Sequence, residues 1–212
     1  FKFKDFCDAM MVTVPYYNKP SQEGIYQHFS TIAQLLGDKP IMMYNIPSRT
    51  GVSMKPEIIA NLYNSFDNIK AIKEASGSLS IAQDIMSLCD IVLLSGDDSN
   101  TLPIMSVGGK GVVSVASNVI PEEILMLVKL FEENKLNDAR VLNKKLYPIF
   151  KNLFIDTNPV PLKFILKKTG KTNCDTVRLP LEEISDEQNI LKLNNISEYI
   201  RMSSLQEIKA SN

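Results

Sequence analysis

Short apolar runs alternate with helical patterns along the first half of the chain. Each run is nearly continuous in apolar residues, which is typical of a strand buried on both faces of a parallel sheet. The runs lie at residues 9–14, 40–45, 69–73, 91–94 and 112–116. An amphipathic helical pattern fills each interval, so the sequence predicts serial strand–helix units with a parallel sheet. The fold class is therefore α/β, either a TIM-type barrel or an open doubly wound sheet.

The second half of the chain has only helical patterns. Helices are predicted at residues 121–133, 137–153 and 161–168, with one or two more between 190 and 208. We therefore expect residues 1–120 to form the strand-bearing part and residues 121–212 to supply a closing helix and a C-terminal helical extension. No apolar run of about 18 residues is present, so no membrane span is predicted.

Composition narrows the possible partners. The 212 residues are 44% hydrophobic and 22% charged, with a formal net charge of −1. A nearly neutral protein attracts neither the phosphates of nucleic acid nor an anionic membrane, so we expect neither as a partner. Three cysteines without metal-binding spacing indicate a reducing compartment, and we expect a cytoplasmic protein. The sequence has neither G-x-G-x-x-G after the first strand nor G-K-S/T, so no nucleotide cofactor is predicted.

Lys73 is the main candidate for chemistry. It follows the apolar residues Ile69, Ala71 and Ile72 and precedes a Ser-Gly turn, so it lies at the carboxyl end of a predicted strand. Ligands bind at that end of the strands in α/β folds. Partial desolvation there lowers the pKa of a lysine and leaves free amine that can form a Schiff base with a carbonyl. The alternative is a strand-end lysine that simply extends to water.

Four further residues fall at neighbouring strand ends, where a substrate on Lys73 would meet them: Tyr17, Tyr44, Arg49 and Gly96. A tyrosine hydroxyl can move the protons that Schiff-base formation requires, and Tyr44 is the obvious candidate. A guanidinium binds carboxylate through paired hydrogen bonds, so Arg49 suits an acid substrate. Each also has a structural alternative, because buried tyrosines and loop arginines mostly satisfy local contacts.

The motifs around these residues resemble a known family. Tyr44 to Gly51 reads Y-N-I-P-S-R-T-G, and Lys73 stands in I-K-E-A-S-G. With P-Y-Y-N-K-P at residues 15–20 and L-L-S-G-D-D at 93–98, this series is similar to the dihydrodipicolinate synthase family. That family belongs to the N-acetylneuraminate lyase group of class I aldolases. The resemblance covers the chain from about Asp8 to Leu181.

The resemblance implies a TIM barrel with a C-terminal helical extension and an enzyme without metal or cofactor other than a covalent pyruvate–lysine imine. Lys73 would form that imine, Tyr44 would donate and accept protons, and Arg49 would hold the carboxylate of aspartate semialdehyde. Tyr17 would be a relay tyrosine that reaches across a dimer interface, and the backbone of Val113 would line the pyruvate pocket. The implied product is 4-hydroxy-tetrahydrodipicolinate, for lysine synthesis, and the implied assembly is a dimer of dimers.

The resemblance also implies that the chain carries about the last five strands of an eight-stranded barrel. The first three strands would then be absent, together with a threonine pair of the proton relay. We therefore expect the 212 residues alone to be inactive and poorly soluble, because open strand edges promote aggregation. Two alternatives remain open: another pyruvate-dependent aldolase, such as a sialic acid or keto-acid sugar lyase, or a non-catalytic remnant.

Overall fold

A computed structural model describes residues 6–210 of the chain. Residues 1–5 and 211–212, at the ends of the predicted ranges 1–120 and 121–212, lie outside the described residues. By its internal contacts the chain divides into two units, Phe1–Val113 and Ser114–Asn212. The strands lie in the first unit.

Four of the predicted strands form one parallel sheet. They are β1 (Met10–Thr13), β2 (Ile41–Asn45), β3 (Ile69–Glu74) and β4 (Val92–Ser95). Each strand pairs with the next along the chain, in the order β1, β2, β3, β4. The predicted α/β class with a parallel sheet is confirmed.

The helices of the first unit lie in the intervals after the strands, where helical patterns predict them. They are α1 (Gln22–Leu36), α2 (Pro47–Thr50), α3 (Pro56–Ser65), α4 (Leu79–Leu88) and α5 (Thr101–Ser106). Ser21 caps α1, since its hydroxyl accepts a hydrogen bond from the backbone N–H of Gly24 at 3.1 Å. Helix α2 was not predicted, because its four residues are too few to give a periodic pattern.

Strand alternation divides the sheet into two different faces. One face is covered by helices and holds the core, in which Met43, Ile72 and Leu93 are fully buried and in register across β2, β3 and β4. The second face carries Met42 and Ala71, which are half-buried, and Val92, which is exposed. In the described chain the second face is therefore not fully buried, unlike the helix-covered face.

The pairing of β2 with β3 has a register shift near the start of β3. Ile41 pairs with Ile69, but the next residue, Met42, pairs with Ala71, so Lys70 is an extra residue in β3. This is a β-bulge, in which two residues of one strand oppose one residue of its neighbour. Beyond the bulge the pairing of β2 with β3 is regular to the end of both strands.

The predicted fifth strand, residues 112–116, is wrong as a strand. Only Val112 makes a bridge, to Ser95, and Ala116 already belongs to a short 3₁₀ helix, Ala116–Asn118. The approach to this segment is not extended, because Gly111 has φ of 144°. Within the second unit the hydroxyl of Ser114 accepts from the N–H of Ser117 at 2.8 Å, which stabilises a turn instead.

The second unit is helical in its described part. It contains α6 (Pro121–Glu132), α7 (Leu136–Asn152), α8 (Val160–Lys168) and α9 (Glu187–Ala210). The uncertain segment at 190–208 thus forms one helix. None of the helices in residues 6–210 combines the length and apolar character needed to cross a membrane.

Two leucines of the first unit offer a matched test of the core. Leu62 on α3 is fully buried, whereas Leu35 on α1 is 56% exposed. We expect Leu62→Ala to lower the free energy of unfolding by about 2–5 kcal/mol, through lost burial and a cavity. Leu35→Ala should change it by no more than about 0.5 kcal/mol. Urea unfolding followed by circular dichroism measures both, and equal midpoints for the two variants would contradict this assignment of the core.

Candidate functional site

The candidate site lies on the second face of the sheet, at the carboxyl ends of the strands. Thr13, Tyr44, Lys73 and Leu94 are in register there, one from each strand in order. Because residues one position apart point to opposite faces, these side chains leave the helix-covered core and share one row. Two separate motifs, Y-N-I-P and I-K-E-A, are thereby brought side by side.

Lys73 and Tyr44 are in direct contact. The Lys73 ammonium nitrogen, Nζ, lies 4.1 Å from the centroid of the Tyr44 ring, within the range of a cation–π interaction. Both side chains are half-buried. Burial lowers the pKa of Lys73 and raises the pKa of Tyr44, because desolvation disfavours the charged form of each group. Free amine and protonated phenol are therefore both favoured in this pair.

Two charged groups adjust the amine in opposite directions. Asp98, which is fully buried, favours the ammonium and raises the pKa of Lys73, whereas the positive charge of Arg49 lowers it. Desolvation is the largest cause, and the net direction is downward. Arg49 also opposes the rise in the pKa of Tyr44, so its charge reaches both members of the pair.

Because Gly96 has no side chain, there is room beside it for the side chain of Lys73. A Cβ at residue 96 would lie 3.0 Å from Cε of Lys73 and 2.6 Å from Cβ of Ala75, so a larger residue would force a shift. The N–H of Gly96 donates to the carbonyl of Glu74 at 2.8 Å, which holds this backbone beside β3. The N–H of Val113 donates to the carbonyl of Ser95 at 2.8 Å, so Val113 lies beside the carboxyl end of β4.

Arg49 lies on α2, directly after β2. Pro47 begins this short helix and Gly51 ends it in the left-handed region, with φ of 74°. The Arg49 side chain is exposed. The turn therefore presents the guanidinium to solvent near the end of β2.

Tyr17 is placed differently from the other predicted site residues. It lies in the loop after β1, with φ of 66° and 87% of its surface exposed. Within the described residues the structure thus brings together Lys73, Tyr44 and Gly96, with Arg49 close enough to act through its charge, while Tyr17 projects into solvent. The roles of these residues in chemistry stay predictions at this point.

Sequence reasoning missed three polar residues beneath the site. Asn45, Glu74 and Asp98 are buried. A signal for two of them was present, since Asn45 follows Tyr44 and Glu74 follows Lys73 by one position, which places both on the opposite face. Nothing in the sequence marked Asp98 as buried rather than exposed, because it stands in a polar S-G-D-D turn.

Across residues 6–210 no group of three or more His, Cys, Asp or Glu side chains is arranged to hold a metal ion. Two surface depressions, of about 400 and 540 Å³, are lined by residues 34–40 and by residues near 33–38 and 65–70. These segments precede β2 or include the first residues of β3, so both depressions lie at the amino ends of these strands, away from Lys73.

Relatives of the chain share one name. A 4-hydroxy-tetrahydrodipicolinate synthase of a Sulfurihydrogenibium species is 45% identical over 207 residues, which are 97% of this chain and 69% of that protein. The synthase of Endomicrobium trichonymphae is 49% identical over 188 residues, 88% of this chain and 64% of that protein. The chain thus spans about two thirds of the length of these relatives.

Solved structures agree with the sequence comparison. The dihydrodipicolinate synthase of Aquifex aeolicus has a TM-score of 0.87 at 42% identity, covering 91% of this chain and 66% of that one. The dihydrodipicolinate synthase of Thermotoga maritima has a TM-score of 0.90 at 35% identity, covering 94% and 68%. The model of the dihydrodipicolinate synthetase family matches residues 3–198. The chain therefore belongs to the dihydrodipicolinate synthetase family.

Proposed function

We propose that this chain carries the Schiff-base site of a 4-hydroxy-tetrahydrodipicolinate synthase, which condenses pyruvate with aspartate semialdehyde. The observation that carries the proposal is the contact of Lys73 with Tyr44 at the carboxyl ends of β3 and β2, where desolvation lowers the pKa of the amine. The names of the relatives support the same reading. No separate cofactor takes part in this reaction, because the electron sink is the imine itself.

Lys73 is the nucleophile of the proposed reaction. Its free amine attacks the ketone carbon of pyruvate, and the resulting carbinolamine loses water to give the imine. The hydroxyl group can leave only as water, so a proton donor must stand beside the amine. Tyr44 suits this role, because burial raises its pKa and keeps the phenol protonated at neutral pH. The imine then loses a methyl proton, and the enamine carbon attacks the aldehyde of the second substrate.

Arg49 recognises the second substrate. Aspartate semialdehyde carries a carboxylate, and a guanidinium can bind it through two parallel, charge-assisted hydrogen bonds. Exposure of Arg49 on α2 leaves it accessible to an incoming acid. Gly96 and the backbone of Val113 border the pyruvate, since both lie next to the end of β4 and Gly96 packs against Lys73.

The proposed architecture is an arc of an eight-stranded barrel. β1 to β4, followed by the backbone at Lys110–Val113, would be about the last five strand positions of that barrel. We further propose a cytoplasmic homo-oligomer, a dimer of dimers, in which Tyr17 completes the proton relay of a neighbouring protomer. The exposure of Tyr17 is consistent with a partner for its ring outside its own chain.

Trapping of the imine tests the nucleophile directly. Incubation with pyruvate and borohydride should add one pyruvate-derived group, seen by intact mass, because borohydride reduces an imine to a stable amine. Lys73→Ala should abolish it, and Lys73→Arg should fail too, since a group with a pKa above about 12 offers no free amine. Lys70→Ala is the matched control, an exposed lysine of the same strand. In a protein that also contains the first three barrel strands, absence of labelling in the wild type, or labelling that survives Lys73→Ala, would reject the proposal.

The pKa of Lys73 gives a second prediction that needs no pyruvate. Reductive methylation of Lys73, followed by peptide mass spectrometry, should show a midpoint below the ordinary lysine value of about 10.4. Arg49→Gln should raise this midpoint, because it removes a positive charge that disfavours the ammonium, and Asp98→Asn should lower it. Lys55→Gln, which removes an exposed charge at the start of α3, is the control and should have no effect. Shifts of the reverse sign would contradict the charge arrangement.

Substitution of Arg49 should weaken the binding of aspartate semialdehyde but not the reaction with pyruvate. In Arg49→Ala we expect pyruvate labelling to persist while the KM for aspartate semialdehyde rises roughly 10- to 150-fold, equivalent to a charged hydrogen bond of about 1.5–3 kcal/mol. Steady-state kinetics of the coupled assay measures the rise. Arg140→Ala, at an exposed arginine of the second unit, serves as the control. Equal loss of labelling and turnover in Arg49→Ala would mean that Arg49 supports its turn instead.

A further inference from the structure

Asn45 and Glu74 form a buried polar pair directly behind the site. They are opposite each other in the register of β2 and β3, one step beyond the pair of Tyr44 and Lys73. Their exposed fractions are 0% and 3%, so both lie on the helix-covered face while Tyr44 and Lys73 lie on the other. Apolar side chains occupy the row before them, so the polar pair marks the end of the core.

Each oxygen of the Glu74 carboxylate accepts a hydrogen bond from an N–H donor. The amide of Asn45 donates to Oε2 at 2.8 Å, and the backbone N–H of Ser76 donates to Oε1 at 2.6 Å. The side-chain oxygen of Asn45 accepts from the N–H of Met54 at 3.0 Å, and its amide also lies 3.5 Å from the hydroxyl of Ser53. One pair of side chains therefore joins the ends of β2 and β3 to the loop that follows Arg49.

The same loop is held from a second side by α1. The side-chain amide of Gln22 donates to the carbonyl of Ser53 at 2.9 Å, and its oxygen accepts from the N–H of Lys55 at 2.9 Å. Residues 53–55 are thus fixed by side chains from two elements. Since α2 precedes this loop by only a few residues, the position of Arg49 depends on how the loop is held.

Burial of a carboxylate is costly even when it is hydrogen-bonded, and a well-packed apolar pair is often at least as stable. Stability alone therefore does not account for Glu74. Its hydrogen bonds are directional, however, and they fix the two backbones that carry Tyr44 and Lys73. The backbone of Asn45 also accepts from Ala75 at 2.9 Å, and that of Glu74 accepts from Gly96 at 2.8 Å.

We propose that Asn45 and Glu74 are positioning residues that set the separation of Tyr44 and Lys73 and, through Met54, the placement of the Arg49 turn. The inference rests on the proposed function. Neither residue touches the substrate, because both lie on the far face of the sheet. A displacement of about 1 Å at a reacting group can cost roughly 100-fold in rate, so fixing these strand ends has a large effect on the reaction.

Exchange of the two functional groups tests the proposal. Glu74→Gln turns an amide donor toward either Asn45 or Ser76, which are themselves donors, and Asn45→Asp sets two carboxylates 2.8 Å apart. In the double variant the carboxylate at residue 45 accepts from Met54 and from the new glutamine amide, while the glutamine oxygen accepts from Ser76. All three contacts can then form again, and donor and acceptor are exchanged only in the contact between residues 45 and 74.

We expect each single variant to lower the rate of imine trapping by pyruvate and borohydride roughly 10- to 100-fold. The double variant should recover most of the wild-type rate. Asn68→Ala is the matched control, because the buried Asn68 amide donates to the carbonyl of Ala33 at 2.9 Å, at the other end of β3. That variant should melt at a lower temperature yet be labelled at the wild-type rate per folded molecule.

The outcomes separate the two claims. If the wild type, tested together with the first three barrel strands, is not labelled, the proposed function fails. If it is labelled and the single variants match it, or if the double variant is no faster than either single one, the positioning role is overturned. Thermal melts of every variant accompany the rates. If a single variant does not fold, the double variant alone decides, and rapid labelling by a folded double variant supports the exchange.

Discussion

The parallel pairing of β2 with β3 is the constraint on which the candidate site depends. It places Tyr44 against Lys73 on one face and Asn45 against Glu74 on the other, so the proposed reactive pair and the proposed positioning pair are consecutive residues. The contact of Nζ with the aromatic ring follows from this register, and so does the buried carboxylate beneath it. Both proposed pairs lie at the ends of β2 and β3, so a displacement of one pair also moves the backbone that carries the other.

Burial and two charged side chains shift the pKa of Lys73 in opposite directions. A fully dry amine would hold no proton, and a lysine in close ion pairing would hold it too firmly to act as a nucleophile. Here half-burial lowers the pKa, Asp98 partly restores it from inside the fold, and Arg49 lowers it from the solvent side. The exposed cation Arg49 and the buried anion Asp98 thus shift the pKa of Lys73 in opposite directions.

Much of the first unit could be predicted because its strands are continuous apolar runs and its helices have strong caps, such as Ser21. The strand predicted at 112–116 is wrong because a short run of Val and Ala is compatible with several buried backbone conformations. Here the hydroxyl of Ser114 accepts a hydrogen bond from Ser117 that stabilises a turn. The roles predicted for Lys73 and Tyr44 depend on their positions at strand ends and on the family resemblance, whereas the contact between them follows only from the register. The burial of Asn45 and Glu74 was not predicted, because a polar residue at the end of an apolar run usually indicates the start of a loop.

The extra residue in β3 has a consequence for how the site is assembled. Counting from the pair Ile41 and Ile69, three steps lead to Tyr44 on one strand but only to Ile72 on the other. The bulge at Lys70 advances β3 by one position, and only then does an amine instead of a branched alkane stand opposite the phenol. If the same residues paired regularly from Ile41 and Ile69 onward, Ile72 would stand opposite Tyr44, and Lys73 would point toward the helices instead of the site.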